Sequence, residues 1–244
     1  AGGAFMKRSW SIDRKFWPLL ITIGLFLLLY IYGIVEYRGF KQPQVFLNLL
    51  VDNAFLMITS IGMTFVILSG GIDLSVGAVI AFKTVLSAWL LGHWGMSPVV
   101  VIPLILLLGL AFGATMGAII EYFKVQPFIV TLAGMFFARG MAFVISTEAL
   151  TIDNPFYRAV GLYRIHLWNK AFISVNVLIV LVVLIVALYL AHFTRFGRTV
   201  YAIGGNEQSA ILMGLPVRRT KILVYTLNGF CSALAGMVFS IYML

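Results

Sequence analysis

PVVVIPLILLLGLAFGATMGAII, residues 98–120, runs without a single charged side chain. As an α-helix this stretch rises about 35 Å, enough to cross a hydrocarbon layer of about 30 Å. Lipid offers no partner to a free N–H or C=O, so a spanning run of this kind is helical. A membrane β-barrel is excluded, because its strands are about ten residues long and alternate apolar with polar positions. Six further apolar blocks flank the run, at residues 16–35, 45–68, 76–91, 127–146, 172–191 and from 221 to the last residue. Asp52 and Asn53 interrupt the second of these.

Composition agrees. Of 244 residues, 62% are hydrophobic and 10% charged, with a mean hydropathy of +1.05. A water-facing surface needs about 25% charged residues. The expected fold class is therefore all-α: a polytopic transmembrane bundle of about seven spans. Residues 1–15 are expected to form a cytoplasmic segment and residues 16–244 one transmembrane domain. The chain stops inside an apolar run with no closing polar segment, so further C-terminal helices are expected beyond it.

The formal net charge of +9 fits a topology rather than nucleic-acid binding, since no basic face with interleaved aromatics is present. No small-residue cleavage site follows the first apolar block, so it is expected to span rather than be removed. Threading from a cytoplasmic N-terminus puts Lys7, Arg8, Arg14, Lys15, Lys124, Arg195, Arg198, Arg218, Arg219 and Lys221 on the cytoplasmic side. Arg38, Lys41, Arg158, Arg164 and Lys170 fall on the other side, as the positive-inside rule requires. Lys83 and Arg139 lie within membrane blocks. Intramembrane charge is expensive, so Arg139, well inside its block, is expected to face protein. No partner for Lys83 is evident.

Two segments carry the functional signal. Ser69-Gly70-Gly71-Ile72-Asp73-Leu74-Ser75-Val76-Gly77 breaks the apolar pattern between the second and third blocks. Irregular backbone at membrane depth survives only under protein or beside a water-filled cavity. The segment reads either as an ordinary polar turn or as a broken, re-entrant element beside a translocation path. Asp73 would be costly against lipid, and Ser75 is placed to cap the next helix. Asn53, Ser69, Gly70, Gly71, Asp73 and Ser75 are the candidates for the substrate path. The second segment, between the sixth and seventh blocks, is basic and glycine-rich. Asn206 suits an N-cap, Glu207 the first turn of a helix, and Gly214 its stop. A short helix over residues 204–214 is expected, either lying in the interface or docking a partner, with Gly204, Gly205, Asn206, Glu207 and Gly214 as its key residues.

Gly109, Gly113 and Gly117 recur every fourth residue and predict a close helix–helix seam. Ser232, Gly236 and Ser240 repeat the pattern. The chain holds no Gly-Lys pair, hence no P-loop, and no catalytic or metal-binding constellation. Cys231 is the one cysteine, so no internal disulfide forms.

Three motifs in order resemble one family. GMTFVILSGGIDLSVG at 62–77, TLAGMFFARG at 131–140, and RFGR at 195–198 with YAIGGN at 201–206 and Gly214 resemble the permeases of sugar-type ABC importers, in the ribose and galactose branch. DNAFL at 52–56 and GMVFSIY at 236–242 are most similar to the galactofuranose permeases of that branch. Lys83 departs from the small or polar residue usual at its place. The resemblance implies a multi-pass bacterial inner-membrane subunit that forms a monosaccharide path and is not itself an enzyme. It binds no cofactor, and ATP is bound by a partner. The implied partners are an ABC ATPase subunit, a second permease (a homo- or heterodimer), a periplasmic sugar-binding protein docking on residues 38–44 and 147–171, and membrane lipid, with no nucleic acid. The residue 204–214 helix would carry ATPase movement to the spans, and a bulky residue at Gly205 or Gly214 would uncouple it. A branched-chain amino-acid ABC permease, a secondary transporter and a membrane-embedded enzyme are the alternatives.

Overall fold

The computed structural model describes residues 16–166 and 171–243, so the expected segment at residues 1–15 lies outside the described residues. The chain divides into two compact units, one ending at Phe46 and the other beginning at Leu47.

The first unit is built on α1 (Trp17–Glu36). Pro18 sits in its first turn, where no intrahelical N–H is lost. Nearly all its large apolar side chains are exposed, as a lipid-facing helix requires. A 3₁₀ turn over Arg38–Lys41 follows. The Tyr30 ring packs against Phe40 and Phe46, with centroids 5.3 and 6.2 Å away.

The boundary between the units falls within α2 (Pro43–Asp52), which meets α3 (Ala54–Leu68) at a 56° bend. Asn53 makes this corner, its side-chain amide donating to the Leu49 carbonyl at 2.8 Å. The chain then breaks and resumes as α4 (Val76–Gly92), α5 (Pro98–Tyr122) and α6 (Pro127–Ile145). A short helix α7 (Pro155–Leu162) and an antiparallel hairpin, β1 (Arg164–His166) and β2 (Phe172–Ser174), precede α8 (Val175–Phe193). Two short helices, α9 (Arg195–Gly205) and α10 (Glu207–Leu212), lead into α11 (Val217–Tyr242).

Each of the seven apolar blocks holds a helix, and the fold is the expected all-α membrane bundle. Five described helices are long and apolar enough to cross a membrane, and the bent α2–α3 pair makes a sixth if it is one span. The apolar α4 has only 17 residues. The sequence reading differs in two places. Residues 147–171 hold α7 and β1 within the expected polar stretch. The sixth block begins as a strand, not a helix: Phe172 and Ile173 pair across to β1, and the helix starts at Val175.

The core is organised around α11, of whose apolar window 61% is buried, against 28% for α5 and 22% for α8. It packs on α3, α4 and α5. The seam with α5 is made by Gly109, Gly113 and Gly117 facing α11 within the same chain. A Cβ on Gly113 would lie 2.2 Å from the Tyr225 carbonyl oxygen, and one on Gly229 would lie 2.4 Å from that of Gly109. Backbone cannot move aside as a flexible side chain does, so the two helices approach this closely only without side chains there.

Replacing Gly113 with Val is expected to destabilise the protein by about 1–3 kcal/mol or more through overpacking. Gly24→Val in α1, with nothing within 4 Å of the new atom, is expected to be neutral. Thermal unfolding midpoints in detergent check both; equal midpoints would refute the seam.

Candidate functional site

The break between α3 and α4 is a built structure. Gly70 takes φ +74, which lets α3 close on itself: Gly70 N–H donates to the Ile67 carbonyl and Gly71 N–H to that of Val66, each at 2.9 Å. These are the two bonds of a Schellman stop. The chain then runs non-helically to Ser75. Two side chains of α11 hold it there. The Tyr225 hydroxyl donates to the Ile72 carbonyl at 3.2 Å, and the Asn228 side-chain amide donates to Asp73 Oδ2 at 2.7 Å. The other carboxylate oxygen, Oδ1, accepts from the Ser75 N–H at 2.8 Å and the Ser75 hydroxyl at 2.6 Å.

Asp73, Ser75 and Asn228 are all buried. Asn228 is the twelfth of the 26 residues of α11, so the clamp sits near that helix's mid-height. Ser75 occupies the N-cap position of α4 but makes no cap bond, contrary to expectation. Asp73 is the stronger acceptor nearby and takes its hydroxyl proton instead.

Of the other sequence candidates, Ser69 is buried and donates to the Val66 carbonyl at 2.8 Å. Gly71 lies beneath Tyr225, whose hydroxyl oxygen would be 2.7 Å from an added Cβ. Asn53 is not part of this group: it is exposed, and 16 residues of helical rise, about 24 Å, separate it from Ser69.

At the coupling loop, Thr194 caps α9 by accepting from the Gly197 N–H at 3.2 Å. Asn206 caps α10 as expected, accepting from the Ser209 N–H at 2.8 Å. Gly214, at φ +74, closes α10 with Gly214 N–H to Ile211 and Leu215 N–H to Ala210. Gly204 and Gly205, however, end α9 rather than belonging to α10. The two glycines differ: a Cβ on Gly204 would lie 1.9 Å from the Leu68 carbonyl oxygen, while Gly205 has nothing within 4 Å. The last turn of α9 therefore rests on the end of α3, next to the break.

An ion-pair chain ties this loop to the bundle. The Lys221 ammonium lies 2.7 and 2.9 Å from the two Glu207 carboxylate oxygens and 3.7 Å from Glu121. Glu121, buried at the end of α5, also pairs with Lys124, and Arg218 Nε lies 4.0 Å from it. Sequence reasoning counted these cations only for topology. The 14-residue spacing of Glu207 and Lys221, and the far larger one to Glu121, give no local pattern to detect. Arg139 is exposed on this chain, contrary to expectation, because α6 turns its neighbour Ala138 inward toward α4. Lys83 is buried, its ammonium 4.6 Å from the centre of the Phe82 ring.

A family model described as "Branched-chain amino acid transport system / permease component" matches residues 45–244. The chain belongs to the ABC importer permeases. It is 49% identical to the inner membrane ABC transporter permease protein YjfF of Escherichia coli K12, over 92% of this chain and 68% of that protein. The fructose import permease FruG of Bifidobacterium longum is 39% identical over 96% of this chain and 70% of its own length. The ribose import permease RbsC of Bacillus subtilis is 38% identical over 93% of this chain and 69% of its own. These relatives place the permease in the sugar branch of the family. No solved structure matches the chain.

Asn228→Leu leaves the buried carboxylate of Asp73 without its interhelical donor. A loss of about 1.5–3 kcal/mol is expected, read as a lower unfolding midpoint in detergent. An unchanged midpoint would show that the clamp does not hold the break.

Proposed function

We propose that this permease forms the path for a neutral monosaccharide in the bacterial inner membrane, with its N-terminus in the cytoplasm, and is driven by ATP hydrolysed on a separate subunit. The observation that carries the coupling is the seat of Gly204 on the Leu68 carbonyl, one residue before the break. α10 is capped at both ends, and the Glu207–Lys221–Glu121 chain fixes it to α11 and α5. An ATPase gripping α9 and α10 would thus push on three spans and on the broken segment together. A second permease, as a homo- or heterodimer, completes the path, and a periplasmic sugar-binding protein delivers to the other end. The chain itself binds no nucleotide and no cofactor in this reading.

The substrate class follows from the relatives named for ribose and fructose and from D-allose permease AlsC of E. coli. The galactofuranose-like wording at 52–56 and 236–242 makes that sugar a candidate beside ribose and galactose. Neutral sugars need no charge-lined filter, and Asp73 is already occupied by protein donors. The family model's description keeps a branched-chain amino acid as the second reading, which competition of uptake by leucine separates.

The contact of Gly204 with the Leu68 carbonyl supports Gly204 as the sensitive position of the loop, in place of Gly205 and Gly214, whose added Cβ atoms would have nothing within 4 Å. In a full-length permease assembled with its partners in liposomes, Gly204→Val is expected to lower sugar uptake at least about tenfold, which is about 1.4 kcal/mol on the transport step, while ATP is still hydrolysed. Gly205→Val is expected to transport like wild type. Normal uptake by Gly204→Val, or the absence of any co-purifying ATPase, would refute the coupling.

A further inference from the structure

At the end of the second unit that bears the coupling loop, a groove of about 710 Å³ opens between α9 and the start of α11. Neither the clamp nor the ion-pair chain uses it. Arg195 and Arg198, three residues apart on α9, line one wall. Arg219 and Leu223, four apart on α11, line the other. Both spacings keep the two side chains on one face of their helix.

The three guanidinium groups are uncompensated. Arg195, Arg198 and Arg219 are exposed, and no carboxylate lines the groove. The acidic residues of this end, Glu121 and Glu207, are already held by Lys124, Arg218 and Lys221. A cleft lined by one sign of charge focuses its field and draws in a counter-ion. The groove also lies where two spans leave the apolar layer. α8 ends at Phe193, two residues before Arg195, and Phe193 is 74% exposed. Leu223 stands one turn into α11 from Arg219, about 6 Å of rise, and is 52% exposed. The lining is thus cationic toward the loop and apolar toward the span, with Phe196 and Leu215 adding to the apolar part.

We propose that this groove holds the headgroup of an anionic phospholipid carrying two phosphates, of the cardiolipin class, with its acyl chains along Leu223. Basic pockets between membrane helices take headgroups of this kind. Two phosphates set a double negative charge against three guanidiniums, and arginine grips phosphate oxygens two at a time. Inorganic phosphate has nothing to lay against Leu223. An acidic protein segment brings carboxylates but no hydrocarbon chain, and a zwitterionic lipid cancels its own charge. The lipid ties the first turns of α9 and α11, the helices that flank the coupling loop, to one membrane plane. This requires only the membrane setting and holds for any cargo.

The test titrates cardiolipin into the delipidated full-length permease, within its complex in detergent, and counts retained lipid by native mass spectrometry. Cardiolipin is expected to bind, and phosphatidylcholine at the same concentrations is not. Each arginine removed is expected to weaken binding about fivefold, so Arg195→Gln combined with Arg219→Gln weakens it more than about tenfold. Arg198→Gln alone, expected to cost about fivefold, repeats the test independently. Arg38→Gln combined with Lys41→Gln removes the same charge from the other unit and is expected to leave the affinity unchanged. Millimolar inorganic phosphate is expected not to displace the lipid. Wild-type affinity in the arginine variants, an equal loss in the Arg38 and Lys41 pair, equal retention of phosphatidylcholine, or displacement by phosphate overturns the assignment. Arginine variants that keep cardiolipin but shed the co-purifying ATPase would also overturn it, giving the groove to a protein partner.

Discussion

The hydrogen bond from Asn228 to Asp73 permits extended backbone to exist inside a helical bundle. A membrane interior offers no water to the N–H and C=O groups that a broken helix exposes, and each one left unpaired costs several kcal/mol. Here the deficit is met twice over. The Schellman stop at Gly70 satisfies the last carbonyls of α3. Tyr225 and Asn228 then take up Ile72 and Asp73 from one face of α11. The carboxylate itself gains three donors, two from Ser75 and one from Asn228, which is what allows a charge-bearing group to sit buried without a cation beside it among the described residues.

The same helix serves several other long-range connections. Its glycine seam lets α5 approach backbone to backbone. Near its start, Lys221 joins Glu207 of α10 to buried Glu121 of α5. At its far end, Tyr242 reaches Asp52 of α2. An apolar cluster near the coupling loop joins α3, α5, α6, α8, α9 and α11 around Phe65, Met116, Val200 and Tyr225. A displacement of α9 and α10 therefore has rigid routes into the bundle, through the Gly204 seat on α3 and through the ion-pair chain into α11 and α5. Ion pairs that are partly buried hold geometry more than they add stability. That suits a joint whose role is to keep two short helices in register with the spans.

Much of this was legible beforehand. The uncharged stretch at residues 98–120 and the six blocks around it fixed a helical membrane protein, because length and hydrophobicity act through lipid thickness alone. Asn206 and Gly214 were readable as the two ends of a short helix, because capping is local chemistry. The every-fourth-residue glycines announced a seam. Other features were invisible. Ser75 was expected to cap α4, yet Asp73, two residues away, captured its hydroxyl. Gly204 and Gly205 read alike as neighbours, yet one touches a carbonyl of another helix and the other touches nothing. Arg139 was expected to face protein and lies on the exposed side of α6.

By itself, the sequence determined the fold class, the apolar helices, the break and the two ends of α10. Each of these depends on residues within a few positions of one another or on a solvent that is the same everywhere along the helix. Only the tertiary structure decided that Asn228 is the partner of Asp73, that Glu121, Lys221 and Glu207 form one chain, and that Arg195 and Arg198 share a groove with Arg219. These pairings join residues far apart in the chain. Which polar group meets which is set by helix rotation and depth, and a pattern of hydrophobicity constrains those only loosely.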